Sequence, residues 1–157
     1  MKTLPKVALL AVAQLALVGF AVAPQVSARV LGEEYQLRVA PIDPLDPFRG
    51  AYVQLDYPDL RVTRMHGSPL SEDDSDEVYV VLARKGDVWV AAEHTSRRPD
   101  DGPYLACTDL HWNLDCGIES LFLPQDEARA MERDLSDGAV ATVRIDSRGN
   151  AALMSVD

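Results

Sequence analysis

At 157 residues and 47% hydrophobic content, the chain has material for one domain of ordinary size once about 30 N-terminal residues are set aside. No acidic residue precedes Glu33, so the chain from there onward sets 12 basic residues against all 25 acidic ones, a formal charge of −13. Such a surface repels phosphate backbones and anionic headgroups, which argues against nucleic-acid binding and against a domain lying flat on a membrane.

Lys2 and Lys6 precede an uncharged, mostly apolar run of 17 residues, 7–23, broken only by Gln14 and Gly19. That is the lower limit for a membrane span. A signal peptide competes with this reading, because Val26-Ser27-Ala28 before Arg29 is an acceptable small-residue cleavage site. The run is long for the apolar core of a signal peptide, and its apolar flanks Leu4 and 24–30 lengthen it, which favours a retained anchor over residues 1–30. In either case the basic N-terminus and the acid-rich far side place the N-terminus in the cytoplasm and residues 31–157 outside it.

Residues 34–40 alternate, with Tyr35, Leu37 and Val39 on one face, and predict a first strand close to the membrane. The stretch P-I-D-P-L-D-P-F-R-G-A-Y-V-Q-L-D-Y, 41–57, follows. Its prolines hold the backbone out of helix. From Ala51 the period is two: Ala51, Val53, Leu55 and Tyr57 on one face, Tyr52, Gln54 and Asp56 on the other, the pattern of a half-buried strand. Tyr57-Pro58-Asp59 turns the chain, and residues 60–65 predict another strand. The acidic loop 66–77 lacks the oxygen spacing and central glycine of an EF-hand and predicts a solvated segment. Residues 78–83 and 88–92 flank R-K-G-D, a hairpin with strongly β-forming arms. Strands are predicted over 104–108 and 113–123, the latter with Leu114, Cys116, Ile118 and Phe122 on one face. One short helix is predicted over 125–135, and 139–145 and 151–156 form a last hairpin around D-S-R-G-N. The expected fold is mainly β (α+β): an N-terminal transmembrane helix, then a mostly antiparallel β domain with one short helix.

The run from Gly50 to Tyr57 resembles the motif G-D-Y-x-x-L-x-Y of the GDYXXLXY family of small bacterial membrane-anchored proteins. The lead-in P-I-D-P-L-D-P-F-R, the hydrophobic segment ending in A-P-Q, G-I-E-S-L-F-L-P at 117–124 and V-R-I-D-S-R-G-N-A-A-L near the end are similar to the corresponding parts of such proteins. Ala51 departs from the pattern, standing where the motif has Asp. The resemblance implies an anchor in the bacterial cytoplasmic membrane and a single-pass topology with a periplasmic or extracytoplasmic domain. It also implies an accessory role beside a multi-spanning membrane protein, and no reaction.

Cys107 and Cys116 are the only cysteines. Outside the cytoplasm they can bond, but along one straight strand nine residues span about 30 Å, so a bond requires a turn near His111-Trp112. Two unpaired cysteines remain the alternative. A Cys107, His111, Cys116 metal set lacks a fourth ligand at a conventional spacing, and no metal or other cofactor is expected. Lys85, the only lysine beyond the anchor, sits in a hairpin turn where it is hydrated and charged, which argues against a Ser-Lys dyad. The residues singled out as a candidate binding surface are Arg49, Gly50, Tyr52, Leu55, Tyr57 and Glu119. Structurally, Gly50 permits a turn while Leu55 and Tyr57 face the core. Functionally, Tyr52 with Arg49 and Glu119 would line a groove for a peptide, a glycan or a partner's loop. The reading is of a non-catalytic binding or assembly module. A secreted ligand-binding domain and a cell-envelope hydrolase are the alternatives.

Overall fold

The structure, a computed structural model, describes residues 4–41, 52–61, 77–110, 114–122 and 138–157. Helix α1 (Leu4–Leu31) leads into β1 (Glu33–Pro41), β2 (Tyr52–Asp56) and a 3-10 turn (Pro58–Leu60). The strands β3 (Glu77–Lys85), β4 (Val88–Thr95), β5 (Tyr104–Asp109), β6 (Leu114–Asp115), β7 (Ser120–Phe122), β8 (Ala139–Ile145) and β9 (Ala151–Val156) follow. They make a mostly antiparallel mixed sheet curled into a half-barrel, ordered β6-β5-β3-β4-β1-β2-β7, with β8 and then β9 joined to β1. Among the described residues the one parallel contact is β1 with β4, at Leu37 and Trp89.

Strand β1 organises the sheet because its apolar alternation meets a matching one in β8. Their register runs from Glu33 opposite Ile145 to Val39 opposite Ala139. Leu37 and Val39 therefore bury their side chains beside Ala139, Ala141 and Val143, the small residues of β8 allowing close approach. On the other wing Val78 and Val80 of β3 stand opposite Cys107 and Leu105 of β5. The two wings meet in one core with Leu55, Tyr57, Leu60, Leu82 and Ile118. Register shifts at Val81/Leu82 and Thr142/Val143 add the local twist that curls the sheet. The β3–β4 hairpin closes through Gly86-Asp87, since Lys85 pairs with Val88.

Two expected strands differ. Leu60 belongs to the 3-10 turn, closed by its N–H on the Tyr57 carbonyl at 2.9 Å, because Pro58 at the first position has a fixed φ suited to a helical turn. Residues 62–65 lie outside the described residues. The strand expected over 113–123 is divided: β6 and β7 flank a loop in which Gly117 takes φ +77°, and the N–H groups of Cys116 and Ile118 turn to the Glu119 carboxylate instead of a neighbouring strand. The helix expected over 125–135 lies outside the described residues, as does most of the acidic loop.

Helix α1 is built from Ala, Leu and Val and is long and apolar enough to cross a membrane. Its 28 residues span about 42 Å, more than the roughly 30 Å of a hydrocarbon core. Its apolar side chains are exposed from Val7 to Phe20, whereas Ala28 near its end is 0% exposed. Near its end α1 thus touches the sheet along one side, at Ser27 and Ala28, while Val26, Val30 and Leu31 stay exposed.

Candidate functional site

The motif strand β2 bridges two parts of the sheet. At one end Asp56 and Leu55 pair with Ala40 and Pro41 of β1; at the other, Tyr52, Val53 and Gln54 pair with Phe122, Leu121 and Ser120 of β7. Leu55 is buried at 1% exposure and Tyr57 at 6%. The Tyr57 hydroxyl donates to the Ile118 carbonyl at 2.9 Å, and the Leu55 N–H donates to the Glu119 carbonyl at 2.8 Å. The leucine and second tyrosine of the motif therefore fasten the C-G-I-E loop to the core. Burial, with the Glu119 carboxylate beside it, raises the Tyr57 pKa well above the usual range, so the phenol stays protonated as a donor.

Glu119 makes that loop. Its carboxylate accepts the N–H of Cys116 at 2.6 Å and of Ile118 at 2.8 Å. Desolvation by burial raises its pKa, outweighing the backbone hydrogen bonds that lower it, and nearby Asp115 adds to the rise. Cys116 is bonded to Cys107. The β5–β6 register, Thr108 with Asp115 and Asp109 with Leu114, sets the two cysteines opposite each other with Cα atoms 4.2 Å apart. Residues 111–113, with His111 and Trp112, lie outside the described residues.

The loop also meets α1. A Cβ on Gly117 would stand 3.4 Å from the Gln25 amide nitrogen. Two residues further along α1, the Ser27 hydroxyl donates to Asp146 at the β8–β9 turn and accepts from an Arg148 guanidinium nitrogen at 3.2 Å. Asp146, 7% exposed, further accepts the N–H groups of Arg148 at 2.8 Å and Asn150 at 3.1 Å, and the Asn150 side-chain amide at 2.9 Å. Burial pushes its carboxyl up, but the bonds from Asn150, Ser27 and the backbone together pull it below the ordinary value. An Arg144 guanidinium nitrogen donates to the Arg29 carbonyl. Gly32 then ends the helix with its N–H on the Ala28 carbonyl at 3.0 Å, in a space where a Cβ would lie 2.3 Å from that oxygen.

The other side of the same turn is held by β5. The Gly149 carbonyl accepts the Ala106 N–H at 2.9 Å, and the Ser147 carbonyl accepts the Tyr104 hydroxyl and an Arg98 guanidinium nitrogen, each at 3.1 Å.

Of the residues expected to form a binding surface, Leu55, Tyr57 and Glu119 are brought together, and their described contacts are internal. Tyr52 contributes its backbone to the β2–β7 pairing; Arg49 and Gly50 lie outside the described residues. Gln25, Ser27, Asp146 and Arg148 were not expected at any site. A usable signal existed for one of them: Asp followed by S-R-G-N is an Asx-turn sequence, in which the carboxylate folds back on N–H groups two and four residues ahead. Among the described residues no group of three His, Cys, Asp or Glu side chains could hold a metal ion.

The segments that meet at the end of α1 are A-P-Q, G-I-E-S and D-S-R-G-N, supported from behind by the motif strand. No curated protein and no solved structure matches the chain. The family model described as GDYXXLXY protein matches residues 14–156, nearly the whole chain, and the chain belongs to that family.

Proposed function

We propose that the protein is a single-span membrane protein, N-terminus inside, whose domain stands outside the cytoplasm as a non-catalytic binding or assembly module accessory to a multi-spanning membrane protein. The observation that carries this reading is that an apolar helix of membrane-spanning length is seated on the domain near its end through Ala28, at 0% exposure, and through Ser27 on Asp146. A domain built onto its anchor is suited to acting at a fixed place beside another membrane protein rather than to diffusing. The disulfide supports an oxidising compartment, and Lys2 and Lys6 support a cytoplasmic N-terminus. The partner-facing surface in this reading is the motif surface expected from the sequence, Tyr52 with Arg49 and Glu119.

A mild-detergent pull-down of the tagged full-length chain from its native membrane, with intact masses of bait and co-purifying proteins, tests it. The expected result is a stoichiometric membrane partner that is lost with Tyr52→Ala and kept with an exposed control such as Arg84→Ala. Recovery of the bait alone from native membranes removes the accessory role. The second reading, a secreted ligand-binding domain, draws on Val26-Ser27-Ala28 before Arg29 and would return a bait whose mass begins at Arg29.

A further inference from the structure

The one sequence in the chain that invites processing lies at the junction where α1 is docked. A peptidase of the outer membrane face recognises small residues at the last and third-last positions before the cut, here Ala28 and Val26. To be hydrolysed, the Ala28–Arg29 amide must be exposed and pulled out of helix. In the folded chain it is neither. Helix α1 continues through it to Leu31, Ala28 is 0% exposed, and its carbonyl is engaged by the Gly32 N–H at 3.0 Å. The residue before it, Ser27, is held by Asp146 and Arg148; the carbonyl of the residue after it, Arg29, is held by Arg144. The bond is thus gripped from both sides by β8 and the turn that follows it.

We infer that this docking is a guard on the chain's own cleavage site: seating of the last turns of α1 on Asp146 withholds the Ala28–Arg29 bond from signal-peptidase-type hydrolysis and so decides between an anchored and a released form. The inference rests on the anchor reading above and adds its cause. Hydrolysis here adds one water across the amide, leaving a carboxylate on Ala28 and an amine on Arg29, and needs no other reactant. A folded site is cut at a rate set by the fraction of time it is open. Opening this one breaks the Ser27 and Arg148 bonds to the junction and strips a buried carboxylate of a donor. Asp146, 119 positions away from Ser27, is therefore the residue on which the guard turns.

The test is expression of the full chain, tagged at its C-terminus, in a bacterial host with its own signal peptidase, followed by intact mass of the membrane-bound and released forms. Ser27→Ala with Asp146→Ala leaves Val26 and Ala28 in place while removing the Ser27 side of the grip, to Asp146 and Arg148. The wild type is expected intact in the membrane, and the double variant is expected to release the 29–157 fragment, with the cleaved fraction rising about tenfold, the scale of one lost hydrogen bond to a charged group. Adding Ala28→Leu is expected to abolish release. Val80→Ala, a core change in β3 away from the junction, is the control for general destabilisation and is expected to stay uncleaved. Release from Val80→Ala equal to that from the double variant overturns the inference, as does a double variant that stays intact while hydrogen exchange at residues 26–32 accelerates; in both cases the anchor reading stands. A wild type recovered wholly as the 29–157 fragment overturns the anchor reading itself, and the guard with it.

Discussion

Two loops clasp the end of α1, and they hold their carboxylates in opposite ways. In the 146–150 turn, Asp146 receives donors from its own turn and from Ser27, enough to overcome the cost of burial and lower its pKa. In the 116–119 loop, Glu119 receives backbone N–H groups, those of Cys116 and Ile118 among them, burial dominates, and its pKa is raised. Both carboxylates organise a loop by gathering N–H groups that a strand would have used. The difference is the balance of donors against burial: the bonds to Asp146 outweigh its desolvation, whereas at Glu119 desolvation outweighs the backbone bonds.

Breaking the turn is expected to have the largest effect. Gly149 takes φ +82°, and a Cβ there would lie 2.6 Å from the Tyr104 ring and 2.9 Å from the Ala106 nitrogen. Gly149→Ala is expected to cost about 3 kcal/mol or more, read as a loss of melting temperature of the full chain in detergent micelles. Breaking the loop costs less: the double variant Cys107→Ser, Cys116→Ser removes a short closed loop and is expected to lose roughly 2–3 kcal/mol in the same measurement. Equal losses from the two would remove the distinction between the 146–150 turn and the 116–119 loop.

Acid sharpens the contrast. The folded pKa of Asp146 lies below its ordinary 3.8, so its contribution is full above that value and is lost as pH falls through the folded pKa. Glu119 is raised above its ordinary 4.5, so its contribution is full below 4.5 and is lost as pH rises through the folded pKa. Asp146→Asn is therefore expected to flatten the loss of melting temperature below about pH 4. Glu119→Gln is expected to remove the gain seen as pH falls from neutrality towards 4.5. Melting curves of the two variants that shift with pH in the same sense would contradict the assignment. The smallest effect expected is that of Tyr57→Phe, which keeps the packed ring and removes one bond to the Ile118 carbonyl, at about 1 kcal/mol.

Much of the sheet was legible in the chain. Tyr35, Leu37 and Val39, the β3–β4 arms around R-K-G-D, and the β8–β9 hairpin around D-S-R-G-N carry period-two alternation or turn chemistry strong enough to be read locally, and the described strands follow them. Leu55 and Tyr57 were placed on the buried face by the same alternation. The interruption at 116–119 was not legible, because Cys116 and Ile118 are buried as a strand would bury them, while the Glu119 carboxylate that replaces the strand's partner looks like any surface acid in so acidic a chain.

By itself the sequence determined an apolar helix of spanning length, the β alternations and the segments of the family motif, all properties of residues within a few positions of one another. The seat of α1 was decided only by the tertiary structure. Ser27 reads as part of a cleavage site and Asp146 as a turn residue; their contact exists because β1 and β8 align over seven residue pairs and carry the 146–150 turn back to the helix end. A hydrogen bond between residues 119 positions apart leaves no local trace in either segment, since each donor and acceptor there is equally at home in water.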